Sequence, residues 1–235
     1  MPLEGARPHV SDLQPPDLIE TMRADAQGVV ALLSGHLRRL EQSAHTLGHV
    51  WPGQLAVESA IQASVAALAT PRPQHLRLRL LMGAQGQLHV EVFPLPAITG
   101  VPAIAVTTRT LDSRERLLRH KTVHRPWYAS TTAWLASHPD FFDLIFLNER
   151  GEVCEGSRSN IYVLKNGVWH TPPLHCGLLG GVMRRQLLDQ DAVVESVLAA
   201  SDLEAPTAAI RLSNGLRGWF DVKFEKNRSL GLSGG

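Results

Sequence analysis

LNERGEVCEGSRSNIYVLKNGVWHTPPLHCGLLGGVMRR, running from Leu147 to Arg185, brings an acid, a glycine-rich turn and a helix start together within one stretch. Its first part reads as a strand approaching a tight Glu155-Gly156-Ser157 bend, and Asn160 to Leu164, with β-branched and aromatic residues, reads as the next strand. Lys165-Asn166-Gly167 is a hairpin turn of the Asn-Gly type, and Val168 to Thr171 returns. Beyond Pro172-Pro173 come Gly177, Gly180 and Gly181, then an apolar-periodic helix through Leu187 and Leu188. Glycines just before a helix let backbone N–H groups approach an anion, and the helix dipole favours negative charge there. An acid to hold a heterocycle and a turn to hold a phosphate suggest a phosphorylated cofactor. Without a ligand in mind, the same residues read as a hairpin followed by an ordinary glycine turn.

A chain of 235 residues with 44% hydrophobic content can bury one substantial core or two modest ones. The formal net charge of +1 gives no argument for a polyanion, so no nucleic-acid partner is expected. No apolar run approaches the roughly 20 residues of a membrane span, and the polar, proline-rich opening lacks a signal-peptide pattern. A cytoplasmic protein with no membrane association is the expectation. Cys154 and Cys176 have neither CxxC nor zinc-finger spacing and read as ordinary reduced thiols. His120 and His124 flank Lys121 without a third ligand in pattern, so no metal is expected.

Of the 23 basic residues only Lys121, Lys165, Lys223 and Lys226 are lysines. Arginine stays charged, whereas a deprotonated lysine amine can form a Schiff base. Lys165 sits in a hairpin turn, and Lys223 and Lys226 lie near a glycine-ending tail, which makes Lys121 the first candidate for covalent chemistry. Codon bias would account for the scarcity of lysine equally well.

Elsewhere, residues 1–16 read as an irregular leader, Leu18 to Ala24 as a strand, and Val29 to Leu33 as its return after a turn at Gln27-Gly28. Leu37, Leu40, Ala44 and Leu47 recur at helical spacing, with His36, Arg39 and Ser43 on the adjoining face. A second helix spans Ala56 to Ala69. HLRLRLLM and QLHVEVF form a half-exposed antiparallel pair, and Ile104 to Thr108 is a strand. TTAWLASH reads as helix, FDLIFLN as a buried strand, Met183 to Gln190 as helix, Ala192 to Val197 as strand, Asp202 to Ala205 as a short helix and Ala208 to Ser213 as strand. Their order predicts an α+β protein with a smaller lobe over 17–110 and a larger one over 111–235.

Six phrases carry a family resemblance: LIETMRA at Leu18, HLRRLEQSAHTLG at His36, HKTVHRPWY at His120, NERGEVCEGSRSNIYV at Asn148, TPPLHCGLLGGVMR at Thr171 and LSNGLRG at Leu212. In this order, and over most of residues 17–222, the chain resembles the fold-type IV (class IV) pyridoxal-phosphate enzymes, and within them the aminodeoxychorismate lyases. The resemblance implies a two-lobed α+β architecture of the D-amino acid aminotransferase type, with pyridoxal 5′-phosphate as cofactor. It makes Lys121 the cofactor-bearing lysine and proton carrier, Glu155 the carboxylate beside the pyridine nitrogen, and Arg39 the phosphate arginine with a guanidinium fork. Gly181 and the backbone N–H groups of Val182 and Met183, with the Asn214-Gly215 turn, complete the phosphate cup. Asn160 organises the bend, and Thr21 matches a hydroxyl near the cofactor in the lyases. On the residues alone, Arg39 reads as a surface arginine, Glu155 as a solvated acid and Thr21 as packing.

The resemblance departs from the family at two places. The phosphate turn has Gly180 and Met183 where relatives usually carry proline and threonine, and Gly215 stands where the lyases carry serine. The implied reaction converts 4-amino-4-deoxychorismate to 4-aminobenzoate and pyruvate for folate biosynthesis, with Arg217, Arg125 and Arg158 as candidates for the substrate carboxylates. The alternatives are a class IV aminotransferase for D-amino or branched-chain amino acids, and a noncatalytic dimeric scaffold of the same fold. A homodimer and a functional link to aminodeoxychorismate synthase are expected from the relatives.

Overall fold

The computed structural model describes residues 14–205 and 208–226. Strand β1 (Leu18–Asp25) pairs antiparallel with β2 (His75–Met82), which pairs antiparallel with β3 (Leu88–Pro94), giving a three-stranded sheet in the order β1-β2-β3. Alternation puts Leu18, Met22 and Ala24 with Leu76, Leu78, Leu80 and Met82 on one buried face. Helices α1 (Leu33–Leu47) and α2 (Gln54–Ala66) cover it with Leu37, Leu40 and Ala44, and with Val57, Ile61 and Val65. Each buried leucine, isoleucine, valine or methionine among them contributes roughly 1.5–3 kcal/mol of burial energy. Glu20 occupies the same inward stripe, a charge at a core position.

The larger sheet has eight strands in the order β6-β5-β4-β11-β10-β7-β8-β9. In chain order these are β4 (Ala103–Leu111), β5 (Phe141–Asn148), β6 (Val153–Gly156), β7 (Asn160–Lys165), β8 (Val168–Thr171), β9 (Val194–Glu195), β10 (Ile210–Asn214) and β11 (Gly218–Phe224). β4 runs parallel to both β5 and β11, and β7 is antiparallel to β10 and β8. Helices α3 (Ala129–Ser137), α4 (Val182–Asp189) and α5 (Ala200–Glu204) complete the α+β architecture. The Asn166-Gly167 turn forms as expected, with φ of 50° and 78°. Among the described residues no helix is long and apolar enough to cross a membrane. Cys154 and Cys176 are buried and free.

Some expectations are corrected. Val29 to Leu33 is not a strand: only Val30 bridges Ala24, because the Asp25 carboxylate takes the N–H groups of Gln27 and Val29 and the chain enters α1 at Leu33. The strand expected over Ala192–Val197 shrinks to Val194–Glu195, where it edges the sheet. A lobe boundary at residue 110 would place β4 with the smaller sheet, yet its hydrogen bonds are with β5 and β11, so the change of sheet falls between β3 and β4. Of the expected leader, residues 1–13 lie outside the described residues.

Candidate active site

A cavity of about 340 Å³ opens between the two sheets. Lys121 lies just after a short 3₁₀ turn, Arg116–Arg119, and its segment is stitched to β1: Ile19 donates to the Lys121 carbonyl at 2.9 Å and Val123 to that of Asp17 at 2.9 Å. The Lys121 amine has no hydrogen bond or ion pair with another described residue. Burial, followed by the charges of Arg125 and Arg39, pushes it down from 10.5 to about 7, so a neutral, nucleophilic amine is available near neutral pH.

Glu155 is the penultimate residue of β6 and is buried. Tyr128 donates to its Oε1 at 2.7 Å, Asn160 Nδ2 reaches Oε2 at 3.3 Å, and the Arg125 guanidinium stands 3.9 Å from Oε1. Burial dominates these contacts and lifts the carboxyl to about 7, so it is poised to ionise when a cation arrives. The bend after Glu155 is built by Asp143, a fully buried acid in β5 that sequence reading passed over. It accepts from the N–H and hydroxyl of Ser157 at 2.8 and 2.7 Å, from Arg158 N–H at 3.0 Å and from the Ser159 hydroxyl at 2.6 Å. A Cβ on Gly156 would lie 2.2 Å from Asp143 Oδ2, which is why that position has no side chain.

On the far side, Gly181 caps α4 and Gly215 follows β10. The first N–H groups of α4 have no partners within the helix. A Cβ on Gly181 would fall 2.0 Å from Asn160 Oδ1, and one on Gly215 2.6 Å from the His36 ring and 2.8 Å from Val182. His36 therefore fills the space that a serine at 215 would need. Its Nε2 is buried without a partner beside this cup. The Asn214 side chain shapes the turn, accepting from Leu216 and Arg217 N–H at 3.1 and 2.8 Å.

Arg39 departs from the expected fork. Its Nε and Nη2 are both taken by Glu20, at 2.8 and 2.5 Å, leaving Nη1 at 3.4 Å from the Gly180 carbonyl. Burial opposes ionisation of Glu20, but Arg39 and His36, by charge and hydrogen bonds, outweigh it and bring the carboxyl down to about 2. Burial lowers the pKa of His36 although Glu20 favours its charged form, and its Nδ1 completes the triad at 2.7 Å. Glu20 was legible only as an acid in the inward stripe of LIETMRA.

Of the residues singled out in the sequence, Thr21, Arg39, Lys121, Arg125, Glu155 and Asn160 line the cavity, as do Arg158, Gly181, Val182, Asn214, Gly215 and Arg217. Met183 does not; its side chain packs against the buried cluster of Tyr162, Leu187 and Val193, leaving only its backbone N–H for the cup. The donor set fits a phosphorylated pyridine: a free amine, a buried carboxylate awaiting a cation, and a glycine cradle of N–H groups that a Cβ would obstruct.

A family model described as amino-transferase class IV matches residues 17–223. The chain belongs to that family. Class IV proteins are pyridoxal-phosphate-dependent, and this chain is such an enzyme. It is 28% identical over 182 residues to a Schizosaccharomyces pombe protein named "Putative aminodeoxychorismate lyase", with 76% of each chain covered. It is also 28% identical over 199 residues to a "Putative branched-chain-amino-acid aminotransferase" of Methanocaldococcus jannaschii, covering 75% of this chain and 67% of that one. The crystal structure of a "Putative amino-acid aminotransferase" from Mesorhizobium loti superposes with a TM-score of 0.80 at 30% identity, covering 89% of this chain and 99% of that one. Class IV membership accounts for the fold-type IV arrangement of the two sheets.

Proposed function

We propose that the protein is a lyase that converts 4-amino-4-deoxychorismate to 4-aminobenzoate and pyruvate, a step of folate biosynthesis. The observation that carries this reading is a rim of three guanidiniums, Arg77, Arg158 and Arg217, at the cavity mouth, none with a carboxylate partner among the described residues. Arg158 and Arg77 lower the pKa of Arg217 after burial does, as neighbouring like charges would. Such a rim suits a substrate with two carboxylates better than an apolar branched chain. Arg77 was not singled out by sequence, since HLRLRLLM reads as a half-exposed strand. Arg125 faces Glu155 and the Ser157 carbonyl, to which it donates at 3.1 Å, so it serves the cofactor end of the cavity rather than the substrate carboxylates.

When bound, pyridoxal phosphate supplies an electron sink for the carbon that bears the substrate amine. Arg39 Nη1, the α4 N–H groups and the Asn214-Gly215 turn would hold its phosphate, and Glu155, organised by Asn160, would serve its ring nitrogen. The neutral Lys121 amine takes the proton from the amine-bearing carbon, and Thr21 lies alongside on β1. The electrons left on that carbon then break the bond to the enolpyruvyl oxygen and aromatise the ring, and the released enolpyruvate takes up a proton to become pyruvate. The protein's task is thus mainly to orient the first proton transfer. The name of the Schizosaccharomyces pombe relative supports this reading. The likeness to the Mesorhizobium loti structure supports a second, an aminotransferase that uses the same Lys121, Glu155 and Arg39. A cytoplasmic homodimer working beside aminodeoxychorismate synthase belongs to the proposal.

Incubating the holoenzyme with 4-amino-4-deoxychorismate should release 4-aminobenzoate, and Arg77→Gln should raise KM about tenfold while leaving cofactor absorbance unchanged. Absence of 4-aminobenzoate, together with amino transfer to 2-oxoglutarate, would make the aminotransferase reading the correct one.

A further inference from the structure

Tyr128 belongs to none of the roles assigned so far. It ends the 3₁₀ turn Pro126–Tyr128, a few residues beyond Lys121, and is 2% exposed. Its ring is held from three sides: Phe146 and Trp127 meet it edge-on at 5.0 and 5.9 Å, and the Arg125 guanidinium lies 4.3 Å from its centroid. With the ring held in this way, the hydroxyl donates to Glu155 Oε1 at 2.7 Å.

Leu179 supplies a backbone hydrogen bond to Glu155, and the other side-chain contacts of the carboxylate are weaker or divided. Asn160 Nδ2 is closer to the Leu179 carbonyl, at 2.9 Å, than to Glu155, and Arg125 is at ion-pair rather than hydrogen-bond range. Tyr128 therefore supplies the shortest side-chain hydrogen bond that fixes this carboxylate. Burial, with Glu155 beside it, holds the phenol well above its ordinary pKa, so it remains a donor. A donor to a carboxylate favours its charged form, and a cation over the donor's ring strengthens that effect.

We propose that Tyr128, backed by Arg125 stacked on its ring, is a positioning residue that sets the orientation and charge of Glu155 toward the ring nitrogen of the bound cofactor. The inference rests on Glu155 facing that nitrogen. In the pair, one proton is shared between the carboxylate and the ring. A donor on Oε1 makes the carboxylate a weaker base, so the proton stays on nitrogen and the ring keeps its electron-withdrawing charge. Without the donor the carboxylate becomes more basic and draws the proton to itself.

The experiment is ¹⁵N NMR of holoenzyme reconstituted with ring-¹⁵N-labelled pyridoxal phosphate, in the wild type, Tyr128→Phe and Glu155→Gln. Tyr128→Phe retains the ring and its packing and removes only the donor. Its resonance should move from the protonated toward the unprotonated position, with kcat down about tenfold and KM within about twofold, the signature of a loss in the chemical step. Glu155→Gln should move the resonance further. A resonance unmoved in Tyr128→Phe but shifted in Glu155→Gln would overturn the role of Tyr128 and leave Glu155 in place. No shift in Glu155→Gln would overturn the placement of Glu155 itself.

Discussion

Lys121 shows how a single side chain takes its chemistry from its surroundings. Burial first, then Arg125 and Arg39, hold its amine at about 7. A nearby cation disfavours the ammonium, so removing one must favour it. Reconstitution of the apoenzyme with pyridoxal phosphate, which needs the neutral amine, should therefore rise through pH about 7, and in Arg125→Gln the inflection should move to higher pH. Stopped-flow absorbance across pH 5–10 (roughly, bracketing the two limits) measures it; an unmoved inflection would remove Arg125 from the list of causes. Glu20 works in the opposite sense. Its folded pKa of about 2 lies below the ordinary 4.5, so its contribution is present above pH 4.5 and is lost as pH falls through 2. Glu20→Gln should cost about 3 kcal/mol at neutral pH by chemical denaturation, and flatten that acid limb, because Arg39 is left buried without its counter-charge. Lysine scarcity pointed to Lys121, whereas Glu20 was hidden in a strand whose pattern otherwise reads as plain core.

Elements were legible where period and turn chemistry agreed. The strand pairs around Asn166-Gly167 and Gly83–Gly86, and the helix over His36 to Leu47, stand where alternation and helical spacing put them. Val29 to Leu33 failed because a local Asp25 turn competes with strand pairing, and Ala192 to Val197 because an edge position leaves only two residues to bond. The bend between β6 and β7 was read as a glycine turn, but its shape is imposed from β5 by Asp143, whose distance in sequence hides the contact. Asp143→Ala should accordingly cost about 3 kcal/mol or more, since the N–H groups of Ser157 and Arg158 would be buried without an acceptor. Urea titration gives the loss, and a rise in KM would report that Arg158 has left the rim. Stability equal to wild type would mean the bend holds itself.

At the scale of the whole molecule, the α+β class was legible from the order of elements, but the sheet order was not. β11 joins β10 as a hairpin and lies parallel to β4, a pairing between residues more than a hundred positions apart that no local period encodes. The cavity is assembled across that divide: Thr21 and Arg77 come from the three-stranded sheet, and Glu155, Asn160 and Arg217 from around the larger one. The Lys121 segment itself is hydrogen-bonded to β1, with a bridge between Leu18 and Thr122. On the proposed placement, a ligand tied covalently to that segment and by its phosphate to α4 and the Gly215 turn would act as a rivet through both sheets. Calorimetry should then show the holoenzyme melting in one cooperative transition, and the apoenzyme, or Lys121→Ala, in two, the three-stranded unit first. The lysine proposed to perform the chemistry would thus also decide whether the chain unfolds as one body, coupling the retention of its cofactor to its lifetime as a folded protein.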